Sequence, residues 1–124
     1  NKFSDNQKKL YLMAVDQINH NSRLIKPGMS FKEFTEKSWV LPEEYYGNRY
    51  SVMVHGIGLC DEWPAIRYPS DGGERTGTFE SNMTITVESY IGKVGGKEGV
   101  KLEQQYLVGQ NGLELMSHHP LEDI

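Results

Sequence analysis

The chain has 124 residues, with 13 basic against 17 acidic side chains and a formal net charge of −4. That length makes one domain, or one half of a larger one, able to bury roughly two thirds of the surface its unfolded form exposes. The acidic balance argues against a nucleic-acid partner, which would call for clustered Lys and Arg. The longest apolar run, Leu10 to Val15, is far too short for a membrane span. A lone cysteine, Cys60, cannot close a disulfide within the chain, so a reducing, cytoplasmic setting is the expectation. The chain opens Asn-Lys-Phe close to the start of a helix, with neither a methionine nor a signal peptide. Further chain upstream is therefore expected.

Ser4 with Gln7 reads as a capping box, and Leu10, Ala14 and Ile18 recur behind it at helical spacing. The helix should run to about Leu24 and stop at Lys26-Pro27-Gly28. Ser30 with Glu33 reads as a second box, Met29 and Phe34 as its hydrophobic staple, and a short helix should end near Ser38. The stretch 39–50, with Trp39, Tyr45, Tyr46 and Tyr50, reads as an aromatic loop. From Ser51 the character turns to strand: Val52 to His55 runs into Gly56-Ile57-Gly58. A polar loop over about 67–81 follows. Met83, Ile85, Val87, Ser89 and Ile91 then alternate with Thr84, Thr86, Glu88 and Tyr90, the pattern of a half-buried strand. Residues 99–108 form another strand with Val100, Leu102 and Val108 on one face, and Leu113 to Met116 a last short one. Helices first and antiparallel strands after them make the class α+β.

The hairpin carries the strongest inference. With Gly95-Gly96 as its turn, Val94 pairs with Lys97 and, counting outward, Glu88 pairs with Glu103. Opposed Cβ atoms lie only about 4.5–5.5 Å apart, so two like charges there call for a cation between them. Thr84 and Thr86 share the face of Glu88, and Lys101 and Gln105 that of Glu103. By themselves the glutamates read equally well as a solvent-facing pair of little energetic consequence. His55 adds a third candidate ligand, and one imidazole with two carboxylates suits Zn, Mn or Fe.

Val54-His55-Gly56-Ile57-Gly58, Met83-Thr84-Ile85-Thr86-Val87-Glu88 and Gly99-Val100-Lys101-Leu102-Glu103 follow one another in this order. So arranged, they resemble the C-terminal half of the methionine aminopeptidase/prolidase superfamily, the pita-bread metalloenzymes. Ile25-Lys26-Pro27-Gly28, Asn111 to Met116 and Pro120 extend the resemblance over nearly the whole chain. It implies N-terminal helices packed on a curved antiparallel sheet, and two metal ions held by two aspartates, one histidine and two glutamates. His55, Glu88 and Glu103 match the last three. The aspartates would come from strands upstream of the first helix; Asp5 and Asp16 are poor substitutes. Residues 1–124 are thus expected to be the C-terminal portion of a pita-bread catalytic domain. Such a portion holds at most one divalent ion (Fe, Mn, Zn or Co) and is inactive alone; the resemblance also makes a homodimer plausible.

Glu62 stands where the peptidases carry a second histidine. That departure resembles the dimethylsulfoniopropionate lyases of marine bacteria, as do Leu41-Pro42-Glu43-Glu44-Tyr45, Arg49-Tyr50 and Gly58-Leu59-Cys60-Asp61-Glu62. The resemblance implies a small zwitterionic substrate cleaved by β-elimination, Asp61 as catalytic base and Tyr50 beside the substrate. Asp61 would need a desolvated pocket to raise its basicity. A sulfonium prefers aromatic faces, and Trp63 and Tyr45 are the further candidates for binding it. Gln104, where the superfamily has aspartate, should loosen support around the metal. The alternatives are an Xaa-Pro dipeptidase or aminopeptidase, and an inactive binding module. Cys60 is expected to be an inert buried thiol, and His20, His118 and His119 to be surface or packing residues.

Overall fold

Ser4 starts the first helix as the sequence predicts. Its hydroxyl accepts from the Gln7 N–H at 3.1 Å, and the Gln7 side chain accepts from the Ser4 N–H at 2.9 Å, satisfying donors that a helix start leaves unpaired. Helix α1 (Asp5–Leu24) buries Leu10, Ala14, Gln17, Ile18 and Asn21 along one face. Helix α2 (Phe31–Lys37) begins at Ser30, whose hydroxyl accepts from the Glu33 N–H. Only that half of the second box forms, because the Glu33 carboxylate accepts instead from Lys37 Nζ at 2.6 Å. Phe31 and Phe34 drop from α2 onto Phe79, with ring centroids 5.0 and 5.8 Å apart.

The structure, a computed structural model, describes residues 2–122 and 124. A third helix, α3 (Glu43–Tyr46), interrupts the stretch expected to be loop; at four residues it is too short to show a period. Five strands follow: β1 (Val52–Gly56), β2 (Ala65–Arg67), β3 (Thr84–Gly92), β4 (Gly99–Val108) and β5 (Leu113–Leu115). They form one open antiparallel sheet in the order β2-β1-β3-β4-β5, with α1 packed across β3 and β4. This is the α+β arrangement expected. Strand β2 goes beyond the sequence expectation, because three residues are too few to show a period. Among the described residues, no helix is long and apolar enough to cross a membrane.

The β3–β4 register places Glu88 opposite Glu103, as counted from the sequence. The turn differs from the one assumed. Gly96 N–H donates to Lys93 O at 2.9 Å and Gly95 has φ +71°, so Lys93–Gly96 is a four-residue turn needing glycine at its third place. Residues 93–98 lie outside the ladder, three on each side of the Gly95–Gly96 bond, and this symmetry preserves the register.

β3 is also more buried than its alternation implies. One face, with Ile85, Val87 and Ile91, joins the core that Leu10 and Ala14 of α1 share. Ser89 donates from that face to Gln17 at 2.7 Å, and Gln17 donates to Tyr68 Oη at 2.5 Å, so α1 is tied to the sheet by a satisfied buried relay. Thr86 and Glu88 on the other face are buried as well, because β3 is the central strand and side chains from β1 and β4 close over them.

Candidate metal centre

Three adjacent strands each contribute one side chain. His55 leaves β1 opposite Thr86 of β3, one diagonal step from Glu88, and Glu103 leaves β4 directly opposite Glu88. Their ligand atoms all lie within 4.8 Å of one another. His55 Nε2 stands 2.6 Å from Glu88 Oε1 and 3.8 Å from Glu103 Oε1. An ion with bonds of about 2.1 Å separates neighbouring ligand atoms by roughly 3.0–3.4 Å, and the observed pairs straddle that spacing.

The donor chemistry fits a cation. His55 Nδ1 lies 2.8 Å from the Gly56 carbonyl, which can only accept, so Nδ1 carries a hydrogen and Nε2 is the ring atom that faces Glu88. At 2.6 Å from Glu88 Oε1, Nε2 is placed either to share a proton with the carboxylate or to ligate a cation beside it. Glu88 is 2% exposed, and its second oxygen, Oε2, stands 2.7 Å from Lys101 Nζ in a close ammonium–carboxylate ion pair.

Lys101 reaches further. Its Nζ is 3.5 Å from Glu103 Oε2 and 4.4 Å from the centre of the Tyr50 ring. Burial pulls the Lys101 pKa down, but Glu88, Glu103 and Tyr50 outweigh it and hold the ammonium above the ordinary lysine value. Thr86 Oγ1 donates to Glu103 Oε1 at 2.9 Å, orienting that carboxylate. Neither Lys101 nor Thr86 was singled out in the sequence as a site residue. The available signal was parity, since each sits two positions from a glutamate on the same face of its strand.

The other expected site residues scatter. Tyr50 is 46% exposed and adjoins the trio through Lys101. Asp61 lies in the loop after β1, exposed, with Oδ1 accepting from the Trp63 N–H at 3.1 Å; the desolvated pocket expected for it does not form here. Trp63 is 53% exposed and sets its edge against Phe31. Tyr45, expected to bind substrate, is 3% exposed and packed in the core that also holds Leu10 and Leu41, because the turn of α3 directs it inward. Cys60 is exposed, not buried, because it sits in the loop 57–63, every residue of which is exposed, Leu59 fully so. Gln104 lies on the opposite face from Glu103, where its side chain accepts from Tyr106 Oη at 2.9 Å, so the amide gives the trio neither support nor strain. Glu62 is exposed and its carbonyl accepts from the Gly56 N–H. His20, His118 and His119 are surface residues.

Comparison with known proteins gives this geometry a context. The chain is 36% identical over 111 residues to the dimethylsulfoniopropionate lyase DddP of Roseovarius nubinhibens, covering 88% of this chain and 25% of that protein. The chain thus spans about a quarter of that relative's length. Its fold superimposes on the X-Pro aminopeptidase of Thermotoga maritima with a TM-score of 0.77 at 24% identity, covering 98% of this chain and 34% of the other. The prolidase of Pyrococcus furiosus superimposes with a TM-score of 0.76 at 25% identity, covering 97% and 35%. The model of metallopeptidase family M24 matches residues 1–110. With the helices-on-sheet architecture shared with these enzymes and three candidate ligands converging from adjacent strands, the chain belongs to metallopeptidase family M24, the pita-bread metalloenzymes, and within it is similar to the dimethylsulfoniopropionate lyases.

Proposed function

We propose that this chain is the C-terminal portion of the catalytic domain of a metal-dependent lyase that cleaves dimethylsulfoniopropionate to dimethyl sulfide and acrylate. Upstream strands of the whole protein would bring two aspartates to the same centre. The observation that carries the reading is the convergence of His55 Nε2 with Glu88 Oε1 and Glu103 Oε1. Likeness to the lyases directs it to this substrate.

His55, Glu88 and Glu103 would hold the divalent ion, which acts when bound as a Lewis acid toward the substrate carboxylate. Asp61, exposed in this chain, would take the proton from the carbon α to that carboxylate once the remainder of the whole protein and the substrate enclose it. The C–H electron pair becomes the new C=C bond, and the C–S pair leaves with sulfur, so the sulfonium departs as neutral dimethyl sulfide. Asp61 Oδ1 already accepts from the Trp63 N–H, which leaves Oδ2 to receive the proton. The exposed rings of Tyr50 and Trp63 offer faces to the sulfonium. Tyr45, packed in the core, is left out of this role.

A second reading, an Xaa-Pro metallopeptidase, draws support from the fold neighbours. Glu62 at the place of the expected histidine weighs against it. The experiment is headspace quantification of dimethyl sulfide from the whole protein, metal-loaded and given dimethylsulfoniopropionate, beside Asp61→Asn. Release that falls at least about a hundredfold in the variant, the scale of lost general-base catalysis, is expected. No release together with hydrolysis of an Xaa-Pro dipeptide would move the assignment to the peptidase, and neither activity would leave a binding module.

A further inference from the structure

We propose that Glu74 is a positioning residue for the elimination: it fixes the Trp63 indole and, through the Trp63 backbone, the carboxylate of Asp61. The inference rests on the lyase reading above and adds to it a residue away from the metal centre.

The loop 57–63 leaves the sheet after His55-Gly56 and returns at Ala65, the partner of His55 across β1 and β2. Its feet are closed by the Gly56 N–H, shared between the Glu62 and Pro64 carbonyls at 3.1 and 2.8 Å. Beyond the feet every residue is exposed, so burial does little to place the Asp61 carboxylate or the Trp63 ring. Asp61 Oδ1 is bound within the loop, by the Trp63 N–H at 3.1 Å. Among the described residues, a single side-chain hydrogen bond ties residues 58–63 to another part of the chain, from Trp63 Nε1 to Glu74 Oε2 at 3.4 Å. The ring also sets its edge against buried Phe31.

Glu74 is built as a fixed acceptor. Its own N–H donates to the Ala65 carbonyl at 3.0 Å, which seats the residue beside β2. Its Oε1 accepts from the N–H groups of Arg75 and Thr76 and from Thr76 Oγ1, at 3.1, 2.9 and 2.6 Å. Three donors on one oxygen restrain the carboxylate and turn the other oxygen toward the indole. These bonds, Thr76 foremost, hold the Glu74 carboxyl below the ordinary carboxylate value, so both oxygens stay acceptors at neutral pH. Glu74→Gln is therefore a selective cut. The amide oxygen takes the place that faces three donors, and the amide nitrogen then meets the indole N–H donor to donor. The turn over 74–76 survives while the tie to Trp63 is lost.

The test is dimethyl sulfide release by the whole metal-loaded protein, with kcat and KM measured for wild type, Glu74→Gln, Trp63→Phe and the double variant. Trp63→Phe keeps an aromatic ring and removes the indole N–H. Each single change is expected to lower kcat about tenfold, as a misplaced catalytic group does. Each is also expected to raise KM about threefold, the worth of one exposed cation–aromatic contact. The double variant should match the single ones, because both changes cut the same bond. Glu74→Gln within about twofold of wild type in both constants overturns the proposal. A fall in kcat with KM unmoved overturns it as well, since a residue that supported only the fold would lower the active fraction and nothing else. Losses that multiply in the double variant would have Glu74 act through its own turn, and sink this inference alone. No release by wild type would sink it together with the lyase reading.

Discussion

Arg49 fixes the segment that presents Tyr50 to Lys101, and breaking its ion pair gives a quantitative test of that placement. Its guanidinium forks onto Asp71, Nε to Oδ2 at 2.8 Å and Nη2 to Oδ1 at 2.5 Å. Nη1 donates to the Tyr46 carbonyl at 2.6 Å, and the group lies 3.9 Å from the centre of the Tyr46 ring. The two side chains are 17% and 20% exposed, between an exposed pair worth about 0–1 kcal/mol and a buried pair whose breakage costs about 3–5 kcal/mol. Hydrogen bonding to the Asp71 carboxylate raises the Arg49 pKa, in keeping with a bidentate bond to a charged partner. Arg49→Met should therefore lower unfolding free energy by about 2 kcal/mol, and a cycle with Asp71→Asn should give a coupling of about 1–2 kcal/mol. For a chain of 124 residues, an unfolding entropy near 0.26 kcal/mol/K makes the single change worth about 8 °C in Tm. Urea unfolding followed by circular dichroism at low and high salt measures both quantities. A coupling below about 0.3 kcal/mol would refute the reasoning and reduce the fork to a surface contact.

Phe31→Ala should cost about 3–5 kcal/mol, because the ring is fully buried between Phe79 and Trp63. Trp63→Ala, at 53% exposure, should cost less than half of that in the same unfolding assay. Gly56→Ala should destabilise strongly, since an added Cβ would lie 1.9 Å from the Trp63 carbonyl oxygen; a Tm within 2 °C of wild type, a shift of about 0.5 kcal/mol, would contradict the close return of the loop onto β1. Burial raises the pKa of Tyr68 and of Tyr106, only partly offset at Tyr68 by the hydrogen bond from Gln17. The folded state then holds these protons longer than the unfolded state. Stability is complete below the ordinary tyrosine value of about 10 and falls as pH rises through the elevated folded values. Denaturant melts from pH 8 to pH 11 should show that decline, with a shallower slope in Tyr68→Phe.

Where one local signal sufficed, the sequence was readable. Ser4 with Gln7 marked the start of α1, and the period-two pattern from Met83 to Ile91 marked β3. Glu88 opposite Glu103 survived an incorrect turn because the true loop is symmetric about the same peptide bond. What stayed hidden depends on tertiary context. Three-residue β2 and one-turn α3 carry too few residues for a period, and the burial of Glu88 follows from β3 being central to the sheet. Tyr45 and Tyr50 look alike in sequence, yet one turns into the core and the other stands over Lys101. Gln104 was judged by its nearness to Glu103 along the chain, but successive residues of a strand face opposite ways, so it meets Tyr106 instead.

The most direct measurement is anomalous diffraction from crystals of the chain grown with Zn²⁺. One peak is expected at the β1–β3–β4 junction, about 2.0–2.2 Å from His55 Nε2 and from oxygens of Glu88 and Glu103. A vacant trio, with Zn²⁺ bound only at the tail histidines His118 and His119, would contradict it.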